Sequence, residues 1–165
     1  MESLVANSHK AFFLQLEKEL AVARTLHRLL CEERKLLDPP RIKALTDLQQ
    51  EKLEHLNALK ELSVQRCDLL NDLQVPLDKH CYLAPILQSE TPSDNTKLAE
   101  LWQELADQFE ENRRITEVLA NIVLTARQRT QSLMKILRGK KNTPNLYTKS
   151  GQTQSRSEGL GYAKA

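Results

Sequence analysis

The chain has 165 residues, enough for one domain, with only 4 glycines and 4% aromatic residues. This composition, with heavy use of Leu, Glu, Lys, Gln and Ala, favours long helices over a sheet. The net charge of +2 divides unevenly, with 19 basic and 21 acidic residues in 1–139 but five basic and one acidic in 140–165. Residues 1–139 are therefore no platform for nucleic acid. The later residues offer lysines and two tyrosines, too few aromatic rings to predict such a role there.

The sequence indicates where the protein resides. No run of about 18 apolar residues occurs, so we expect no membrane insertion. The N-terminal Met1-Glu2-Ser3-Leu4 lacks the basic and apolar regions of a secretory signal. The cysteines Cys31, Cys67 and Cys81 show no CxxC spacing, and their odd number without a signal indicates reduced thiols. We therefore expect a cytoplasmic protein.

Two leucine-rich segments at the start of the chain predict a pair of helices. The first is expected over residues 7–37 and the second over residues 41–74, each with apolar residues at helical spacing. The sequence Asp38-Pro39-Pro40-Arg41 separates them, since a proline disfavours the helical conformation of the residue before it. Asp38 is expected to be the N-cap of the second helix, with Pro39 at its first position. A connection this short makes the helices antiparallel neighbours.

A connector is expected over residues 75–93, because its prolines forbid one continuous helix. A short helical turn there would close one end of the bundle with the apolar side chains of Leu77, Tyr82, Leu83, Ile86 and Leu87. The sequence Thr91-Pro92-Ser93-Asp94 has the form of a capping box and predicts the start of a third helix over residues 94–139. Gly139 is expected to be its C-cap. Residues 140–165, the tail, are too polar to fold alone, which predicts disorder.

The third helix carries a heptad seam along its length. Its members are Leu98, Leu101, Leu105, Gln108, Asn112, Ile115, Leu119, Ile122, Ala126, Arg129, Leu133 and Ile136. The alternation of three and four residues predicts packing on other helices. Gln108, Asn112 and Arg129 form either a polar layer, partly solvated or register-setting, or a place where a partner's polar groups dock. The predicted fold is all-α, an elongated antiparallel bundle or coiled coil of three long helices with a short helical connector and a disordered tail.

No pattern in the chain predicts an enzyme, a metal site or a cofactor. Di-iron bundles need a Glu three residues before a metal-binding His, and none of His9, His27, His55 and His80 has a carboxylate there. No HExxH, P-loop, GxGxxG or GxSxG occurs. His27 lies in the apolar stripe of the first helix and is expected to be a flank or satisfied core histidine. The thiols have no apparent base beside them, so nucleophilic catalysis has no support.

Several segments carry a resemblance to a known family. The second helix contains Gln50-Glu51-Lys52-Leu53 and Gln65-Arg66-Cys67-Asp68-Leu69-Leu70. The tail contains Leu146-Tyr147-Thr148-Lys149-Ser150-Gly151-Gln152-Thr153 and then Leu160-Gly161-Tyr162-Ala163. With an opening helix before them and a long helix between, this layout resembles the FlgN family of flagellar export chaperones over nearly the whole chain. The family often has Gly-Pro-Asp where this tail has Thr148-Lys149-Ser150.

The resemblance implies a specific function. A protein of this kind binds, in the cytoplasm, the terminal amphipathic helices of hook-associated proteins, which form the junction between hook and filament. It prevents their self-association and delivers them to the flagellar type III export gate and its ATPase complex. The resemblance assigns the client to the third helix and the tail, and docking at the gate to Tyr147.

The predicted helix lengths agree with this function in kind. Two helices of about 31 residues cannot cover a third of about 45, so part of the seam should stay open to a partner helix. We expect the client to contact Leu119, Ile122, Val123, Leu133, Ile136, Leu137, Leu146, Leu160 and Tyr162. Two other interpretations stay open: a structural coiled-coil adaptor subunit without a secreted client, and a helical-bundle enzyme or regulator with a ligand between its helices.

Overall fold

The fold was obtained as a computed structural model, which describes residues 2–138, with side chains from Asn7 onward. In this part of the chain there are three long α-helices, α1 at Glu2–Leu36, α2 at Ile42–Asp72 and α3 at Pro92–Leu137. Two short 3-10 helices, Cys81–Leu83 and Pro85–Leu87, lie between α2 and α3. Residues 2–138 contain no strand, so the predicted all-α class with three long helices is confirmed. The chain divides into two units, residues 1–123 and residues 124–165.

Helices α1 and α2 pack as an antiparallel pair, as predicted. Near the turn, Glu33 of α1 accepts hydrogen bonds from Gln49 and Lys52 of α2 at 2.6 and 2.7 Å. Further from the turn, Glu19 of α1 accepts a hydrogen bond from Arg66 of α2 at 2.8 Å. Later residues of α2 therefore contact earlier residues of α1, so the two helices are antiparallel.

The turn between α1 and α2 differs from the prediction in the residue that caps α2. Leu37 and Pro40 pair across the turn in a single antiparallel bridge. Asp38 and the proline after it lie between them, so the prediction that Asp38 caps α2 was wrong. Arg41 occupies the N-cap position without a side-chain hydrogen bond, and α2 begins at Ile42.

Helix α1 also begins earlier than predicted, at Glu2 instead of near Asn7. No glycine or proline occurs between these two residues, so nothing in the local sequence interrupts the helical backbone.

The connector closes one end of the bundle, although not with every side chain expected. The residues that it contributes to the core are Val75, Cys81 and Leu87. Of the five predicted residues, Leu87 is fully buried, Tyr82 and Ile86 are half-buried, and Leu77 and Leu83 are exposed. His9 of α1 secures the connector, because its Nδ1 lies 2.8 Å from the Leu87 carbonyl oxygen.

Helix α3 begins with proline at its first position, as the capping-box sequence predicted, although two residues before the expected start at Asp94. The Thr91 carbonyl accepts hydrogen bonds from the Asp94 and Asn95 amides at 3.0 and 3.4 Å. The Asn95 side chain also accepts from the Ser89 amide at 2.6 Å and donates to the Ser89 carbonyl at 2.8 Å. These bonds fix the start of α3 to the connector. At the other end, the predicted C-cap Gly139 lies outside the described residues.

The core of residues 1–123 has two apolar clusters that place α1 and α3 in parallel. The larger cluster comprises Phe12, Leu16, Leu20, Leu70, Val75, Cys81, Leu87, Leu98, Leu101 and Leu105. Within it the Phe12 and Trp102 rings lie 6.1 Å apart. Further along both helices, Leu26 and Leu30 of α1 pack with Leu119 of α3. The three helices therefore run up, down and up, with alternate helices parallel.

Candidate functional site

A polar layer centred on Asn112 lies among the apolar side chains of α1 and α3. Asn112 is buried, and its Nδ2 donates to the Ala23 carbonyl at 2.9 Å. This bond orients the amide so that Oδ1 faces His27 Nδ1 at 3.0 Å and accepts from Gln108 Nε2 at 3.2 Å. The geometry favours the polar layer over a docking place for a partner at Asn112 and Gln108, since their bonds are made within the bundle.

The same layer gives Cys31 a neighbour that the sequence interpretation had missed. Because Asn112 Oδ1 can only accept, His27 Nδ1 must be its donor, and in the neutral imidazole Nε2 then carries the free lone pair. The Cys31 Sγ lies 3.6 Å from that Nε2. The expectation that no base accompanies the thiols was therefore wrong for Cys31, and the four-residue spacing from His27 was the signal. His27 itself is a satisfied, half-buried histidine, as expected.

A second buried polar contact joins α1, α2 and α3. Glu19 is 0% exposed, and its Oε1 accepts a hydrogen bond from Arg66 Nε at 2.8 Å. The Arg66 guanidinium carbon lies 5.5 Å from the centroid of the Trp102 ring, a cation–π distance. Among the described residues, Glu19 Oε2 has no hydrogen-bond partner. Burial raises the pKa of Glu19, although the charge and the hydrogen bond of Arg66 act in the opposite direction.

The predicted client-binding residues on α3 fall into two groups, and three of them belong to residues 1–123. Leu119 is buried against Leu26 and Leu30, so its side chain is not available on the surface. Ile122 is half-buried, and Val123 is 52% exposed. Burial of Leu119 follows from the parallel packing of α1 on α3, which the sequence alone did not locate.

The other three predicted residues on α3 belong to residues 124–165 and are exposed. Leu133, Ile136 and Leu137 have exposed fractions of 60%, 62% and 82%. Met134 and Leu124 are also exposed and were not predicted. Met134 flanks the line of the heptad seam, whereas Leu124 lies on the opposite side of the helix from Leu133. We call the side chains of Leu133, Met134, Ile136 and Leu137 the apolar face of the second unit. The predicted tail residues Leu146, Tyr147, Leu160 and Tyr162 lie outside the described residues.

Residues 2–138 lack the features of two other kinds of site. No group of three or more His, Cys, Asp or Glu side chains is arranged there to hold a metal ion. None of the helices in that range is long and apolar enough to cross a bilayer.

Exposed apolar side chains along the helices of a bundle, as on α3, are typical of a protein that binds other chains through a helix surface. The family model described as FlgN protein matches residues 1–155, and the chain belongs to the FlgN family. No curated protein and no solved structure gives a significant match to the chain. The family is one of flagellar export chaperones and is not known for enzymatic activity, so the chain is assigned to that general class.

Proposed function

We propose that this chain is a cytoplasmic export chaperone for hook-associated proteins. It binds their terminal amphipathic helices, prevents these helices from associating with one another, and delivers them to the flagellar type III export gate and its ATPase complex. Membership of the FlgN family supports the general class. The client and the gate come from the resemblance of the tail and the helical layout to that family.

The observation that carries the proposal is the exposed apolar face of the second unit. Every side chain from Val123 to Arg138 is exposed, and Leu133, Ile136 and Leu137 are among them. Full burial of an exposed Leu or Ile contributes about 1.5–3 kcal/mol. Partial burial of the three under a client helix would therefore offset part of the entropy cost of association, and it would cover apolar surface on both partners.

The tail supplies the remaining predicted contacts. We propose that Leu146, Leu160 and Tyr162 close over the bound client and that Tyr147 docks at the export gate. In support, these are nearly all of the large apolar side chains in an otherwise polar segment. An aromatic side chain provides a large contact area for weak, reversible docking.

A paired set of variants tests the apolar face. The double substitution Leu133→Gln with Leu137→Gln should weaken binding of a hook-associated terminal helix by about tenfold or more, equivalent to about 1.4 kcal/mol. The matched control is Leu53→Gln with Val64→Gln on α2, whose side chains are also exposed, at 52% and 51%. The control should retain the affinity of the wild type in calorimetry. Equal losses in the two variants would refute the assignment of the face.

Removal of the tail after Gly139 tests its contribution separately. The shortened chain should bind the same client helix with an affinity lower by about tenfold or more, because the contacts of Leu146, Leu160 and Tyr162 are lost. Its circular dichroism should show that the helices are retained. An unchanged affinity would show that the client uses α3 alone.

A structural coiled-coil adaptor is the second candidate function, and one observation favours it. Helix α2 carries exposed apolar side chains at helical spacing, at Ile42, Leu53, Leu56 and Val64. Such a stripe suits self-association or a permanent partner. The adaptor predicts a stable oligomer in sedimentation analysis and no complex with a hook-associated protein, whereas the chaperone predicts a complex with that client.

A further inference from the structure

The charge of α3 changes sign along its length. Residues 92–117 contain seven acidic and three basic residues, a net charge of −4. Residues 118–138 contain four basic residues, Arg127, Arg129, Lys135 and Arg138, and no acidic residue, a net charge of +4. The apolar face of the second unit lies within the basic part.

The two parts of α3 also differ in how their cations are paired. In the first part, Lys97 lies 3.2 Å from Asp94, and both Arg113 and Arg114 reach carboxylates of their own helix at 2.8 and 3.2 Å. In the second part, all four cations are exposed, and none has a salt bridge to a carboxylate in residues 2–138. This part of the surface therefore presents positive charge that the described protein does not neutralise.

Helical spacing places these cations at the edges of the apolar face. At about 100° per residue, Leu133, Leu137 and Met134 lie on one side of the helix. Arg127 and Arg138 follow Met134 at one edge of this side, and Arg129 shares the other edge with Ile136. Lys135 lies on the far side. An apolar stripe with a cation on each edge matches the pattern by which paired helices choose a partner with opposite charge at the edges.

We infer that the second unit selects an amphipathic helix whose apolar stripe is flanked by Asp or Glu. The inference rests on the proposed function and adds the charge of the client. Carboxylates at both edges would face Arg127, Arg129 and Arg138, while lysines there would be repelled. Residues 124–138 contain no aromatic side chain, so they lack the Trp or Phe that often anchors a helix at a membrane surface and the rings on which single-stranded bases stack.

Three synthetic peptides test the inference against the full-length chain. They share one helical apolar stripe and differ only at its flanking positions, which hold Glu, Gln or Lys. At low salt the Glu peptide should bind about tenfold more tightly than the Gln peptide and the Lys peptide should bind most weakly, as expected for a few rim ion pairs. The differences should nearly vanish when salt rises from about 0.1 M to about 1 M, because the Debye length falls from about 10 Å to about 3 Å.

Two triple variants test which positive charges produce the preference for the Glu peptide. The variant Arg127→Gln, Arg129→Gln, Arg138→Gln should bind the Glu and Gln peptides equally while retaining affinity for the Gln peptide. The control Lys10→Gln, Lys43→Gln, Lys60→Gln removes the same net charge from exposed positions on α1 and α2 and should keep the wild-type preference. An equal loss of preference in both variants would overturn the inference, since net charge alone would then explain it.

The remaining outcomes separate the inference from the function on which it rests. Equal binding of the three peptides at low salt would overturn charge selection and leave helix binding intact. No binding of any peptide, with binding of a hook-associated helix also absent, would overturn the proposed function itself. Tighter binding to vesicles of phosphatidylserine and phosphatidylcholine than to the Glu peptide would identify a membrane surface as the partner and overturn the inference.

Discussion

Replacement of Glu19 by Gln would show whether burial or ion pairing dominates at the centre of the bundle. The Glu19 side chain is fully buried, and only one of its carboxylate oxygens bonds Arg66. Burial raises the pKa of Glu19 despite that bond. A Gln side chain keeps the shape of Glu and one acceptor oxygen for Arg66, but it carries no charge at any pH. The substitution therefore removes the titration of residue 19 and leaves the packing in place.

The raised pKa fixes the sign of the expected pH dependence. Above the ordinary pKa of 4.5 and up to the higher folded value, the native state binds more protons than the unfolded state at Glu19. The stabilisation is therefore fully present below pH 4.5 and is lost as pH rises through the folded pKa. A pKa difference of one corresponds to about 1.4 kcal/mol in the free energy of unfolding. The stability of Glu19→Gln relative to the wild type should accordingly increase as pH rises in this window.

Complete removal of the carboxylate has a different and larger effect. Loss of one partner from a buried ion pair costs about 3–5 kcal/mol. The Arg66 side chain is 16% exposed and lies over the Trp102 ring. Both features reduce the free-energy cost of leaving the Arg66 charge without its carboxylate partner. We therefore expect Glu19→Ala to lower the free energy of unfolding by about 3 kcal/mol at neutral pH.

Urea unfolding between pH 4 and pH 8 measures both effects, and urea leaves ionic interactions unscreened. Trp102 is the single tryptophan and lies against Arg66, so its fluorescence reports on this site while circular dichroism reports on all helices. Coincident transitions would justify a two-state analysis. The control is Glu17→Gln, an exposed carboxylate on α1. If the stability of Glu19→Gln relative to the wild type decreased with rising pH, the attraction of Arg66 would outweigh burial and our reasoning would fail.

Three further predictions concern other residues. Asn112→Ala should lower the free energy of unfolding by about 2 kcal/mol, because the buried polar layer loses its hydrogen bonds. The control Asn57→Ala, at an exposed position, should have little effect. Similar losses in the two variants would argue against a stabilising polar layer. Burial raises the pKa of the Cys81 thiol, so less thiolate forms at a given pH. In variants with one remaining cysteine, Cys81 should react with a disulfide reagent more slowly than the half-buried Cys67, and faster reaction of Cys81 would contradict its burial. Tyr147→Ala should preserve client affinity but reduce export of the client, and a normal export rate would count against docking at this residue.

The helical periodicity of the sequence predicted much of the fold for a physical reason. Leu98, Leu101, Leu105 and Leu119 lie on one line of a helix, and all four are buried. A seam of this kind specifies which side of α3 faces its neighbours, because only one orientation buries the whole line. It does not specify the local backbone of a turn, and for this reason Asp38 was wrongly predicted as a cap.

Contacts between distant positions were the part that the sequence could not provide. Glu19 and Arg66 are paired across α1 and α2, and His27 meets Asn112 across α1 and α3. Each pair depends on how far one helix is shifted along another, and a shift of one turn would change every partner. The same uncertainty explains why Leu119 was predicted to contact the client. The seam includes Leu119 as an apolar position, but only the packing of α1 shows that its side chain is covered. The exposure of Leu133 and Ile136, in contrast, agrees with the argument from helix lengths, and their role in binding stays a prediction.

The chemistry of residues 124–138 agrees with the proposal that a client is bound there and later released. Most helix stability in proteins comes from tertiary packing, yet no side chain between Val123 and Arg138 is buried. The segment is part of α3, so it does not need to nucleate a new helix, which is the costly step. A bound client would only have to stabilise a helix that already extends from the earlier part of α3. Its contacts would be leucine, isoleucine and methionine with cations at the edges, without the Trp and Tyr anchors that give interfaces their strongest contacts. Such a surface favours reversible binding of an apolar helix, as the proposed delivery of a client to the export gate requires.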